Sequence, residues 1–87
     1  MSRVTHDLKT WPSTFEALYR GLKRFEFRKN DRNFQIYDIL MLREWDPNTA
    51  QYTGRVLGCW VSYLLRGPEF GVPEGYVVMS LTEPLVC

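Results

Sequence analysis

Residues Gly21–Arg32 read GLKRFEFRKNDR, and their pattern decides the fold. Five Lys/Arg crowd these positions, yet Phe25, Glu26 and Phe27 stand among them. In an extended chain, alternation puts Phe25 and Phe27 on one face and Arg24, Glu26 and Arg28 on the other. A solvated tail has no use for paired phenylalanines. A strand buried on both faces has little use for the charges. The segment therefore reads as a sheet strand, with its Phe pair packed inward and its charged face lining a site. The turn chemistry of KNDRN ends it.

Working outward, TWPSTFEALYRG upstream reads as a helix. Ser13 and Glu16 fit a capping box, Phe15, Leu18 and Tyr19 form an apolar stripe, and Gly21 supplies the stop. RVTHDLK alternates through Val4, His6 and Leu8 and reads as a first strand. Downstream, DILMLREW is a strand followed by the turn DPNT, where Pro47 suits the second position. GRVLGCWVSYLLR is a long strand in which Gly58 is expected to mark a bend or bulge. GPEFGVPEG is a loop, and YVVMSL closes the series with Val77, Met79 and Leu81 on one face.

The order is β-α-β-β-β-β. With no helices between the later strands, a doubly wound parallel sheet is excluded. The expectation is an α+β, mostly β fold: five short strands in a curled antiparallel sheet or partly open barrel, with one N-terminal helix plugging a side.

A chain of 87 residues supports a single domain, and its 45% apolar and 15% aromatic content argues against disorder. The formal net charge is +1, but it is unevenly spread. Residues 1–32 hold eight Lys/Arg against four Asp/Glu (+4), and residues 33–87 hold three against six (−3). A basic segment beside a neutral body favours phosphate-bearing partners. The longest apolar run, VLGCWVSYLL, is too short to span a bilayer, and the opening residues lead us to expect no secretion signal. Two cysteines, Cys59 and Cys87, make no disulfide framework, which fits a reducing cytoplasm. His6 is the only histidine and makes no metal-ligand set with Cys59, so neither a metal nor a cofactor is expected. No phosphate-binding loop, dinucleotide fingerprint or Ser/His/Asp arrangement is present.

The stretch GLKRFEFR fits G-x-K-x-x-E-x-R through Gly21, Lys23, Glu26 and Arg28, directly after the first helix. In this it resembles ASCH domains, a group within the PUA-like superfamily of small β-barrels. HDLK, RKNDRNF, LREWDP and EGYVVMSL extend the similarity, in order, to a short bacterial and phage branch, over essentially the whole chain. One departure is Tyr37-Asp38, where that branch often has Gly-Asp. The resemblance implies a cleft beside the helix and a tie to RNA or nucleotides. Some relatives have been assigned hydrolysis of RNA or of acylated cytidine. That amidohydrolase lineage carries a Thr nucleophile at the position of Glu26, so Lys23 carries over while the reaction does not.

The candidate nucleic-acid-binding residues are Lys9, Lys23, Glu26, Arg28, Lys29 and Tyr76. Lys23 and Arg28 suit phosphate, and Glu26 suits polar base edges. The structural alternative is that Glu26 and Arg28 simply pair with each other or with neighbours such as Lys9. If the protein is an enzyme, Lys23 and Glu26 are the candidate catalytic pair of a small metal-independent hydrolase. A third reading is a phage-type protein-interaction inhibitor, hinted at by the exposed aromatic of EFGVPEG. Phe70 there is a stacking platform, a lid contact or an anchor. His6 reads as a hydrogen-bonded structural residue, and Trp11, Phe15 and Tyr19 as helix packing. Ser80 is the serine whose strand would border the cleft.

Overall fold

The computed structural model describes residues 3–82, with strands β1 (Thr5–Thr10), β2 (Phe25–Lys29), β3 (Ile39–Asp46), β4 (Gln51–Arg66) and β5 (Tyr76–Leu81). Helix α1 (Pro12–Tyr19) lies between the first two strands, and a short 3-10 turn (Glu69–Gly71) precedes β5. Cys87 lies outside the described residues. The strand order is β1-β3-β4-β5-β2. The sheet is mixed rather than wholly antiparallel, because β1 runs parallel to β3. The crossover through α1 and β2 is what permits that parallel pair.

Strand β4 organises the sheet. Its 16 residues would extend about 53 Å if straight, more than the 36 Å long axis of the molecule, so it must bend. Its first part pairs with β3 through Trp60, and from Val61 onward it pairs with β5. Gly58 sits in regular register opposite Met41 and is not the irregularity. The register instead shifts opposite Glu44, between Arg43 and Trp45, and again at Ser62.

The curled sheet does not close by backbone pairing. β1 and β2 are opposite edges, yet two arginines reach across the opening. Arg28 Nη2 donates to Lys9 O at 2.7 Å and Arg32 Nη1 to Asp7 O at 2.8 Å. Guanidinium groups thus occupy edge carbonyls that a closing strand would otherwise take.

Inside lie Leu8, Phe15, Leu18, Phe34, Leu40, Leu42, Leu57, Cys59, Val61, Leu64, Val77 and Met79. Only Phe15 and Leu18 of the helix are buried, whereas Trp11 and Tyr19 are about 60% exposed, so the expected aromatic packing reduces to Phe15. The capping box also fails. Trp11 is the N-cap, no side chain caps it, and Pro12 provides the helical start. Glu16 instead pairs with Arg20. The predicted stop holds: Gly21 has φ +74°, with Leu22 N–H bonded to Ala17 O and Gly21 N–H to Leu18 O, a Schellman closure.

Gly67 is confined for a different reason. A Cβ there would lie 1.8 Å from Pro73 O and 2.5 Å from Pro73 C, both backbone atoms of the facing loop. Gly67→Ala is expected to cost about 1–3 kcal/mol, measured by urea unfolding.

Candidate ligand-binding site

The largest correction concerns the opening stretch. Glu26 is 3% exposed, whereas Phe25 and Phe27 are 48% and 47% exposed. The alternation is as expected but the faces are reversed, with Glu26 and Arg28 turned inward, the phenylalanines outward, and Arg24 exposed ahead of the strand. The reason is pairing: Glu26 lies opposite Met79 and Arg28 opposite Val77, the two fully buried residues of β5. Partners directly opposite in an antiparallel ladder share a face.

Turned inward, Glu26 is satisfied by two cations. Arg28 Nε donates to its Oε2 at 2.6 Å, and Lys23 Nζ lies 3.5 Å from its Oε1. Both cationic side chains are about a quarter exposed, so they join a buried carboxylate to the surface. Arg28 uses its remaining fork on Lys9 O, which ties the carboxylate to the β1 edge. Here Lys9 contributes its carbonyl and not its ammonium, which sits 4.0 Å from the centroid of the Trp45 ring. The expected second cation beside Lys23 is therefore absent, because β1 and β2 are not paired neighbours.

Lys23 precedes β2 and also lines a cleft between α1 and the β4–β5 strands. Leu18, Gly21, Arg24, Leu57, Cys59, Leu81 and Thr82 complete that cleft, a narrow recess of about 20 Å³ that has room for a single water. The floor is apolar and the lip is cationic. Arg24 Nε donates to Gly21 O, which holds its guanidinium at the end of the helix. Cys59 is buried with Sγ 3.9 Å from Leu40 O.

Lys29 and Tyr76 are not part of this cluster. They face each other on the outer surface of the sheet, beside Phe27. Ser80 also faces outward, its Oγ 2.7 Å from Ser62 Oγ. Phe70 is 89% exposed, so it is no anchor. His6 is buried, with Nε2–H donating to Asp38 Oδ2 at 2.9 Å and its ring edge-on to Phe34. Among the described residues no group of three or more His, Cys, Asp or Glu is placed to hold a metal ion. No helix there is long and apolar enough to cross a membrane.

The profile of the DUF3850 family, a domain of unknown function, matches residues 5–81. The chain belongs to that family. The match runs from the first strand to the last and so includes every member of the Glu26 cluster. A curated relative is described as an "Uncharacterized 12.9 kDa protein in GpA 3'region" of Escherichia phage P2. It is 42% identical over 55 residues, which is 63% of this chain and 49% of the relative. The chain thus spans about half the length of the curated relative it matches.

Sequence reasoning missed a second interior network. Glu44 is 6% exposed, accepts from Thr53 Oγ1 at 2.8 Å, and lies 3.8 Å from Arg55 Nη1. Arg55 also stands over the Phe15 and Tyr19 rings and 3.5 Å from Glu16, which docks the helix. Thr10, opposite Glu44 in the β1–β3 register, is 2% exposed, and its hydroxyl has no hydrogen-bond partner. Thr10, read with the helical segment, instead ends β1 and continues the inward alternation of His6 and Leu8. No local pattern revealed the register shift around Glu44.

Proposed function

We propose that this chain is an ASCH-type, PUA-like module that binds RNA or a nucleotide at the cleft beside α1. The observation that carries this reading is the position of Lys23. One ammonium lies at the cleft lip, beside a buried carboxylate, and 5.1 Å from the Phe25 ring. A lysine held in this way offers a point charge to phosphate at the rim of the recess, with the Phe25 ring beside it for a base. The helix between the first two strands, the curled sheet and the cleft beside the helix accord with the barrel that the resemblance implies. So does Tyr37. It has φ +78°, a conformation that glycine adopts readily, at the place where the resembling branch often has Gly.

Binding is favoured over hydrolysis because both Glu26 oxygens are already engaged, by Lys23 and Arg28. A carboxylate so occupied has little capacity to act as a general base.

Lys23→Ala is expected to weaken binding of a short single-stranded RNA several-fold. It should also reduce the slope of log K against log salt by about 0.7, the loss of one phosphate contact. Arg28 remains on Glu26 in this variant, so the fold is retained. Fluorescence anisotropy across a salt series checks this. Unchanged affinity and slope would remove Lys23 from the site.

A further inference from the structure

The outer face of β2, β5 and the second half of β4 is aromatic where a small sheet usually carries polar residues. The ladders set its residues in rows: Phe25, Ser80 and Tyr63 in one, Phe27, Val78 and Leu65 in the next, then Lys29 and Tyr76. Phe25, Phe27, Tyr63 and Tyr76 are between 37% and 63% exposed. Phe27 and Tyr76 lie almost parallel, with centroids 5.3 Å apart and planes at 17°.

Tyr63 reaches this face only because of the bulge at Ser62. Val61 pairs with Leu81 and Tyr63 with Ser80, so one extra residue stands between two ladder steps. Without it, Tyr63 would share the inward face of the fully buried Val61. A bulge that turns a tyrosine out of the core re-aims that side chain at solvent.

The charge on this face has one sign. No Asp or Glu points outward from Phe25–Lys29, Tyr76–Leu81 or residues 62–66; Glu26, the one acid in these segments, is buried. Lys23 and Lys29 stand at the two ends of β2, with Lys23 beside the Phe25 ring. Flat, exposed rings on a rigid sheet, bordered by cations and lacking carboxylates, match the chemistry of stacked bases on a phosphate backbone.

We infer that this outer face is a base-stacking platform for single-stranded nucleic acid, with Phe27 and Tyr76 as its central rings and Lys23 joining it to the cleft. The inference rests on the RNA reading above and adds a second contact surface. A second copy of the chain is the less suitable occupant, because Lys23 and Lys29 would be brought against their own counterparts without acids to offset them.

The test uses labelled decameric oligouridylate and an abasic decamer of the same charge, each titrated by anisotropy into wild type, Phe27→Ala, Tyr76→Ala and Lys23→Ala. Both rings are surface residues, and far-UV circular dichroism verifies folding. The platform predicts tighter binding of the base-bearing strand and a loss of about tenfold for each ring removed. It also predicts little change toward the abasic strand, and partial recovery in Phe27→Trp. Ring variants that bind oligouridylate like wild type, while Lys23→Ala is weakened, would overturn the platform and leave the cleft standing. No binding of either oligomer by wild type would overturn both. Self-association abolished by the ring variants, without an effect on nucleic acid, would assign the face to a second copy and reject the platform.

Discussion

Replacing Arg28 by Met is expected to destabilise the fold by about 3 kcal/mol, the cost of leaving a buried carboxylate without its main partner. The Glu26 side chain is 4% exposed and would retain only Lys23 at 3.5 Å. The change also releases Lys9 O, and with it one of the ties that span the opening between β1 and β2. Arg28→Lys should recover only part of the loss. An ammonium lacks the rigid fork that lets Arg28 serve the carboxylate and the carbonyl together. Pairing Arg28→Met with Glu26→Gln removes the uncompensated charge and is expected to restore much of the stability. Urea unfolding of the four proteins measures this. A loss within the range of ordinary surface changes, about 0.5 kcal/mol, would mean that Glu26 is not dependent on Arg28.

Asp38→Ala is expected to cost about 3 kcal/mol at neutral pH, because it strips a buried acceptor from several donors at once. His6 Nε2–H at 2.9 Å and Gln35 N–H at 3.0 Å converge on Oδ2, and Val4 N–H reaches Oδ1 at 3.4 Å. Burial pushes the Asp38 carboxyl up. The hydrogen bonds from His6, Gln35 and Val4, with the charge of His6, outweigh it and hold the group below its ordinary 3.8. A depressed folded value means that the unfolded chain takes up the proton first as pH falls. The contribution is complete above about pH 4 and is lost as pH falls through the folded value. The gap between wild type and Asp38→Ala should therefore narrow from pH 7 toward pH 3. An equal gap at both would show that the ionised carboxylate is not what stabilises this corner.

The periodicities that named the strands were legible because they are local. Val77 and Met79, and the alternation of residues 25–29, are found as read. Which face of β2 points inward was not legible, because both faces carry a plausible signal. Phe25 and Phe27 look like core by hydropathy, and only the pairing with Val77 and Met79 turns Glu26 inward. The parallel β1–β3 pair was hidden for the same reason, since strand order belongs to long-range contacts. Of the candidate site, Lys23, Glu26 and Arg28 are gathered. The i, i+3 and i, i+2 spacings around Glu26 were enough to anticipate that. Lys29 and Tyr76 stand on the outer face because odd-numbered β2 residues share it. The role of Lys9 as a carbonyl acceptor leaves no trace in side-chain chemistry.

The most direct test of the binding proposal is an amide NMR titration with a short single-stranded RNA and, separately, with free nucleosides, the ligand mass being followed throughout. The proposal predicts shifts centred on Lys23 to Arg28 and on the strands bearing Phe27 and Tyr76, with the ligand intact. A changed ligand mass would make the site catalytic instead, and the absence of shifts with either ligand would contradict nucleic-acid binding altogether.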